Sequence, residues 1–163
     1  MKIHQQGFTL IELITVIILL GILSAFAISR FPSSQSYSTR IISNQLIASA
    51  RLGQQTALAR ASVNAANHTV LNVNPNANTW TLAVTAGGTN YTAEVKRGAE
   101  QVRFGSDLSA ACASLTAAPL SITFDGDGNR VPAQNLRICI DSVTDVELCI
   151  SPSGYIYEGS CLP

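Results

Sequence analysis

The sequence predicts an α+β chain: a long N-terminal spine helix packed on an antiparallel β-sheet domain. Three observations predict it. An apolar run extends from Phe8 to Ile28; residues 35–61 have helix-forming composition with two apolar stripes; and short alternating runs separated by turn residues fill the chain from residue 68 onward. The division expected is a leader at 1–7, a transmembrane and assembly helix at 8–28, an amphipathic helical half at 29–61 and an antiparallel β domain at 62–163.

Residues 1–7 are polar and carry one firm positive charge, Lys2. The run that follows is about 21 residues long, enough for a helix to cross a bilayer core. Lys2 ahead of it favours a cytoplasmic N-terminus and an exported C-terminal part. The one charge inside the run is Glu12. A carboxylate within hydrocarbon costs on the order of 3 kcal/mol, so such a residue needs a partner. A plain secretory signal, with Ala25-Phe26-Ala27 as its cleavage site, leaves Glu12 unexplained, and so does a simple membrane anchor. Cleavage after Gly7 supplies a partner. It frees the amine of Phe8, one helical turn before Glu12, where the attraction between ammonium and carboxylate is large in a low-dielectric setting.

Pro32, flanked by Arg30 and Ser33-Ser34, marks a kink between the two helical halves. Beyond it, Ile42, Leu46, Ala50, Gly53, Ala57 and Ala61 form one stripe, and Tyr37, Ile41, Ala48, Leu52 and Ala59 a second on the opposite side. Two stripes require two partners. The small residues of the first allow a sheet to approach closely, which leaves the second for neighbouring helices. Nearly continuous helix from Phe8 to Ala61 would rise about 80 Å, well beyond a domain of this size.

The runs 68–73, 79–84, 91–95, 101–104, 120–124, 136–140, 146–150 and 155–157 read as strands. Asn74-Pro75-Asn76 and Gly87-Gly88 lie among the turns between them. Short strands with tight connections imply antiparallel pairing.

Cys112, Cys139, Cys149 and Cys161 form no CxxC pair. Behind an export segment they read as two disulfides in an oxidising compartment. Parity puts Cys139 and Cys149 on the same face of an expected hairpin, which favours Cys139–Cys149 and leaves Cys112–Cys161 to tether the C-terminus. Asp125, Asp127 and Asn129 place oxygen ligands at alternate positions, as a calcium loop begins. The sixth and twelfth places of such a loop, normally Gly and Glu, hold Arg130 and Leu136, so a tight turn is the expectation. No nucleophile and base occur in motif context, nor does a phosphate loop or a metal-binding His pair. Neither an enzyme nor a cofactor is predicted. The formal net charge of zero provides no broad basic field for nucleic acid.

The segment Gly7-Phe8-Thr9-Leu10-Ile11-Glu12-Leu13, followed by an apolar stretch, resembles the class III signal of type IV pilins and pseudopilins. The strand and turn layout from Leu120 to Tyr157 resembles minor pilins of the GspH/FimT type, and with the paired cysteines the chain is most similar to minor pilins of the mannose-sensitive haemagglutinin (MSHA) pilus system. The resemblance implies cleavage between Gly7 and Phe8 by a prepilin peptidase and N-methylation of Phe8. It also implies a role for Glu12 in registering subunits during assembly. Removal of the leader takes away Lys2, so Lys+Arg falls from 10 to 9 against 10 acids. The implied partners are other pilin or pseudopilin subunits, the peptidase and an inner-membrane assembly platform. The implied location is the inner membrane with a periplasmic domain, then a surface pilus or a periplasmic pseudopilus. The function implied is a minor pilin that takes part in assembly or initiation of the filament. The alternatives are a type II secretion pseudopilin, or a DNA-uptake or adhesin subunit that uses Arg97, Arg103, Arg130 and Arg137.

Overall fold

The computed structural model describes residues 9–28, 34–61, 68–141 and 145–162. The chain divides into two compact units, Met1–Ser33 and Ser34–Pro163.

The first unit holds helix α1 (Leu10–Ile28), 19 residues rising about 28 Å. It has no polar face: its apolar side chains from Leu10 to Leu23 are exposed on every side. Such a helix needs an apolar environment supplied from elsewhere. Its two hydroxyls already satisfy themselves within the helix. Thr15 Oγ1 donates to the Glu12 carbonyl at 2.9 Å and Ser24 Oγ to the Leu20 carbonyl at 2.7 Å. Among the described residues no helix is long and apolar enough to cross a membrane. The span expected from Phe8 to Ile28 therefore rests on the sequence run. The kink expected at Pro32 lies outside the described residues.

The second unit begins with helix α2 (Ser34–Arg60), followed by strands β1 (Thr69–Pro75), β2 (Thr79–Ala86), β3 (Thr89–Lys96), β4 (Gln101–Gly105), β5 (Thr116–Ala117), β6 (Leu120–Phe124), β7 (Arg130–Val131), β8 (Leu136–Asp141), β9 (Val146–Ile150) and β10 (Ile156–Glu158). They form two antiparallel sheets, ordered β3-β2-β1-β6-β7 and β10-β9-β8-β4-β5. Gly87 and Gly88, with φ of 51° and 87°, make the two-residue loop that joins β2 to β3. β1 and β2 alternate inward and outward residues as their sequences do. The chain crosses to the second sheet at β4, returns at β6 and crosses again at β8.

Both sheets pack on α2. Its inner stripe, Ile42, Leu46, Ala50 and Ala57, joins Trp80, Leu82, Val84, Ile122 and Phe124 of the first sheet and Ile138, Ile140, Leu148 and Ile150 of the second in one core. The close approach expected of the small residues is found at Gly53, where a Cβ would lie 3.1 Å from the Phe124 ring. Ala61 departs from the expectation. It follows the end of α2 with φ of 42° and is exposed, because the chain turns away there.

The expected disulfide pairing is corrected. The bridges are Cys112–Cys139 and Cys149–Cys161. Parity was right, since both strand cysteines share the face of the second sheet turned from the core. The register was not: the β8–β9 hairpin sets Cys139 opposite Glu147 and Cys149 opposite Arg137. The two cysteines are thus diagonal, each within reach of a covering segment instead. A short 3-10 helix, Cys112–Ser114, covers β8, and the C-terminal segment bearing Cys161 covers β9.

Two tests follow from the packing. Gly53→Val drives a branched side chain into the Phe124 ring and should lower unfolding free energy by about 1–3 kcal/mol in chemical denaturation. Replacing Cys149 and Cys161 together by Ala opens a bridge across a separation of 12 residues. It should cost about 3 kcal/mol on the chain-entropy account, measured the same way, and peptide mapping of the variant should still recover Cys112–Cys139.

Candidate functional site

The N-terminal motif is described from Thr9 onward; Gly7 and Phe8 lie outside the described residues. Thr9 and Glu12 form a capping box at the start of α1. Glu12 Oε2 accepts the Thr9 backbone N–H and the Thr9 hydroxyl, both at 2.9 Å, and Thr9 Oγ1 accepts the Glu12 N–H at 3.4 Å. The sequence signal for it is Thr-x-x-Glu ahead of an apolar run, which sets the carboxylate on the first turn of the helix and not among buried groups. Glu12 therefore has a local partner within its own chain. Its carboxylate is exposed at the N-terminal end of α1, four residues after Phe8 in the sequence.

The second surface lies along α2. Opposite the buried stripe, Tyr37 is 66% exposed and Leu52 39%, and Ile41, Ala48 and Ala59 are also open. The two-partner reading of this helix is half met within the chain. One stripe takes the sheets, and the other has nothing packed over it among the described residues.

The two ends of α2 are fixed by polar contacts with no sequence signal. Near its start, Ser38 donates to Glu100 Oε2 at 2.9 Å. Glu100 is 1% exposed and also accepts Trp80 Nε1–H at 2.9 Å and the Gly98 N–H at 2.9 and 3.0 Å. Burial opposes its ionisation, but these donors outweigh burial and hold its pKa below the usual carboxylate range. Glu100 thus joins α2, β2 and the crossover from the first sheet to the second. Arg97 lies over the Trp80 ring at 4.9 Å. At the other end, Gln54 donates to the carbonyls of Gly128 and Ser153, and Arg60 to the carbonyl of Ala86.

The calcium candidate is a turn. Asp125 Oδ1 accepts the backbone N–H of Asp127 at 3.0 Å and of Asn129 at 2.8 Å, while the Asp125 N–H donates to the Asn129 carbonyl. Among the described residues no three His, Cys, Asp or Glu side chains gather as a metal site would require. The four arginines of the binding alternative do not form one patch. Arg103 pairs with Asp141 at 2.8 Å and Arg137 with Glu147 at 2.6 Å. Arg130 is buried and bonds the carbonyls of Pro132 and Gln134. Arg137 also holds the loop before the 3-10 helix through the carbonyls of Leu108 and Ala110.

Residues 2–28 match the family model of the prokaryotic N-terminal methylation motif. The match contains Gly7, Phe8, Thr9 and Glu12 and ends at the last residue of α1. It supports a pilin-like or pseudopilin subunit, processed at its N-terminus and assembled with others of its kind. No curated protein and no solved structure matches the chain.

The Glu100 contacts carry a pH dependence with a definite sign. A carboxylate whose folded pKa is depressed stabilises the fold above its unfolded pKa, near 4.3, and loses that contribution as pH falls through the folded value. Glu100→Gln turns an amide donor toward groups that already donate. It should cost about 2 kcal/mol at pH 7, and the gap between variant and parent should shrink in denaturation curves taken below about pH 4.

Proposed function

We propose that this protein is a minor pilin, a structural subunit that takes part in assembling or initiating a type IV pilus of the MSHA kind. The observation that carries this reading is the methylation motif over residues 2–28. The precursor enters the inner membrane through the 8–28 segment with its β domain in the periplasm. A prepilin peptidase cuts between Gly7 and Phe8 and methylates the Phe8 amine. α1, apolar on all sides, then moves from lipid to the company of other pilin helices, an exchange of one apolar setting for another. Glu12 is the one charge in that helix. At the end of α1 its carboxylate can leave the Thr9 cap for the ammonium of a neighbouring subunit, which sets the axial register of assembly.

The disulfides suit an oxidising exterior. Each ties a covering segment to the outer face of the second sheet. The outward stripe of α2 supplies contacts with neighbouring subunits beyond the membrane. The same processing would serve a type II secretion pseudopilus. Recovery of the protein in sheared surface filaments distinguishes the two.

Mass spectrometry of the mature chain should find N-methyl-Phe8 at the N-terminus; an N-terminus at Ile28 or Met1 would refute the reading. Glu12→Ala should leave membrane insertion and cleavage intact while reducing incorporation into purified filaments at least about tenfold, as expected when one charge loses its low-dielectric partner.

A further inference from the structure

The two disulfides tie neighbouring strands to covering segments, yet their sulfurs have different surroundings. In each bridge one sulfur is shut in and the other is within reach. Cys139 and Cys149 are 1% and 0% exposed. Cys112, on the 3-10 helix, and Cys161, on the C-terminal segment, are half-buried. A reagent from solution therefore meets Cys112 or Cys161 first.

Arg137 distinguishes the two. Its Nη2 donates to Cys112 Sγ at 3.7 Å. The guanidinium is fixed on its other sides. Nε and Nη2 bond the Glu147 carboxylate at 2.6 and 3.4 Å, and Nη1 bonds the carbonyls of Leu108 and Ala110. A disulfide sulfur is a weak acceptor, so this contact does little for the closed bridge. A thiolate in the same place is an ionised acceptor, which a charged donor holds far more strongly. The side chain before Cys161 is Ser160, whose hydroxyl donates to Glu147 Oε2 at 3.5 Å. The charge on that side is a carboxylate, which opposes a thiolate. The other charged groups around Cys112 are already engaged. Arg103 of β4 bonds the Ala113 carbonyl at 3.2 Å and pairs with Asp141 of β8. Asp107 accepts the Ser109 hydroxyl and the N–H groups of Ser109 and Ala110.

We propose that Cys112 is the thiol through which this domain exchanges disulfides: it meets a disulfide donor when its bridge forms and an external thiol when the bridge opens. In formation the Cys112 thiolate attacks one sulfur of the donor's disulfide. A bond from Cys112 to that sulfur replaces the donor's own, and the donor's second sulfur leaves as a thiolate. Cys139 then attacks Cys112 Sγ and expels the first. The two thiols of the chain are oxidised to Cys112–Cys139, the donor is reduced to two thiols, and the two protons pass to its sulfurs. Opening follows the same path backwards, with the incoming thiolate attacking Cys112 Sγ and Cys139 leaving. Arg137 favours the anion in each direction. Nothing in this chemistry depends on filament assembly.

The full chain in detergent tests it. With limiting reduced glutathione at pH 7, acid trapping and peptide mass spectrometry should find the first mixed disulfide on Cys112; a first adduct on any other cysteine overturns the proposal. Cys139→Ser leaves Cys112 as a free thiol, and Cys149→Ser leaves Cys161. Iodoacetamide rates against pH should place the Cys112 midpoint about one unit below the ordinary thiol value of about 8.5, and Cys161 at or above that value. Arg137→Gln should raise the Cys112 midpoint and slow its reaction with oxidised glutathione at pH 7 about threefold, since the more basic thiolate recovers part of the lost ionisation. Glu147→Gln removes the acid that shares the guanidinium and should lower the Cys112 midpoint further. Loosening of the loop would move both variants alike, whereas charge moves them apart. A Cys112 midpoint no lower than that of Cys161, or the same direction of change in both variants, overturns the proposal.

Discussion

Burial of the inner stripe of α2 is the constraint on which the second unit depends. Two five-stranded sheets share one helix, so neither completes its core without it. The stripe mixes large residues, Ile42 and Leu46, with small ones, Ala50, Gly53 and Ala57. The large ones fill the core and the small ones let the strands come near. This arrangement also explains why the opposite stripe stays apolar and open. Among the described residues of the second unit, no further element covers the back of a helix already committed to two sheets. In a subunit that assembles, that uncovered back is a surface for neighbours.

Polar groups complete what apolar burial leaves loose. Glu100 is a buried carboxylate with no ion pair among the described residues, satisfied by neutral donors from α2, β2 and the crossover. Such a group fixes geometry, because each donor loses its partner if an element shifts. The outer face of the second sheet uses a different device. There two disulfides and the Arg103–Asp141 and Arg137–Glu147 pairs hold segments with little regular structure of their own. Arg137 serves both roles, pairing with Glu147 across the hairpin and clasping the loop that delivers Cys112.

The strands were legible wherever a run was long enough to alternate. β2, β6, β8 and β9 begin where the pattern begins. β5 and β7 were not, since two residues carry no period. The division into two sheets was also hidden. Each crossover looks in the sequence like any other turn, and only the packing on α2 decides which edge a strand joins. In the candidate site, Glu12 stands out by its cost in an apolar run, and its bonds to Thr9 follow from the short spacing Thr-x-x-Glu at the start of α1. Glu100 gave no signal at all, being one acid among surface-like neighbours.

Taken alone, the chain determined what local chemistry determines: an apolar helix with one acid at its start, a second helix striped on both sides, and strands set by alternation and turns. Those properties depend on residues a few positions apart, so the linear order contains them. The tertiary structure decided the disulfide partners, the stripe that is buried and the sheet that each strand joins. Each depends on register or on strand order, which are relations between segments far apart in the chain. A shift of two residues in one hairpin keeps every side chain on its face and still changes which sulfur atoms can meet.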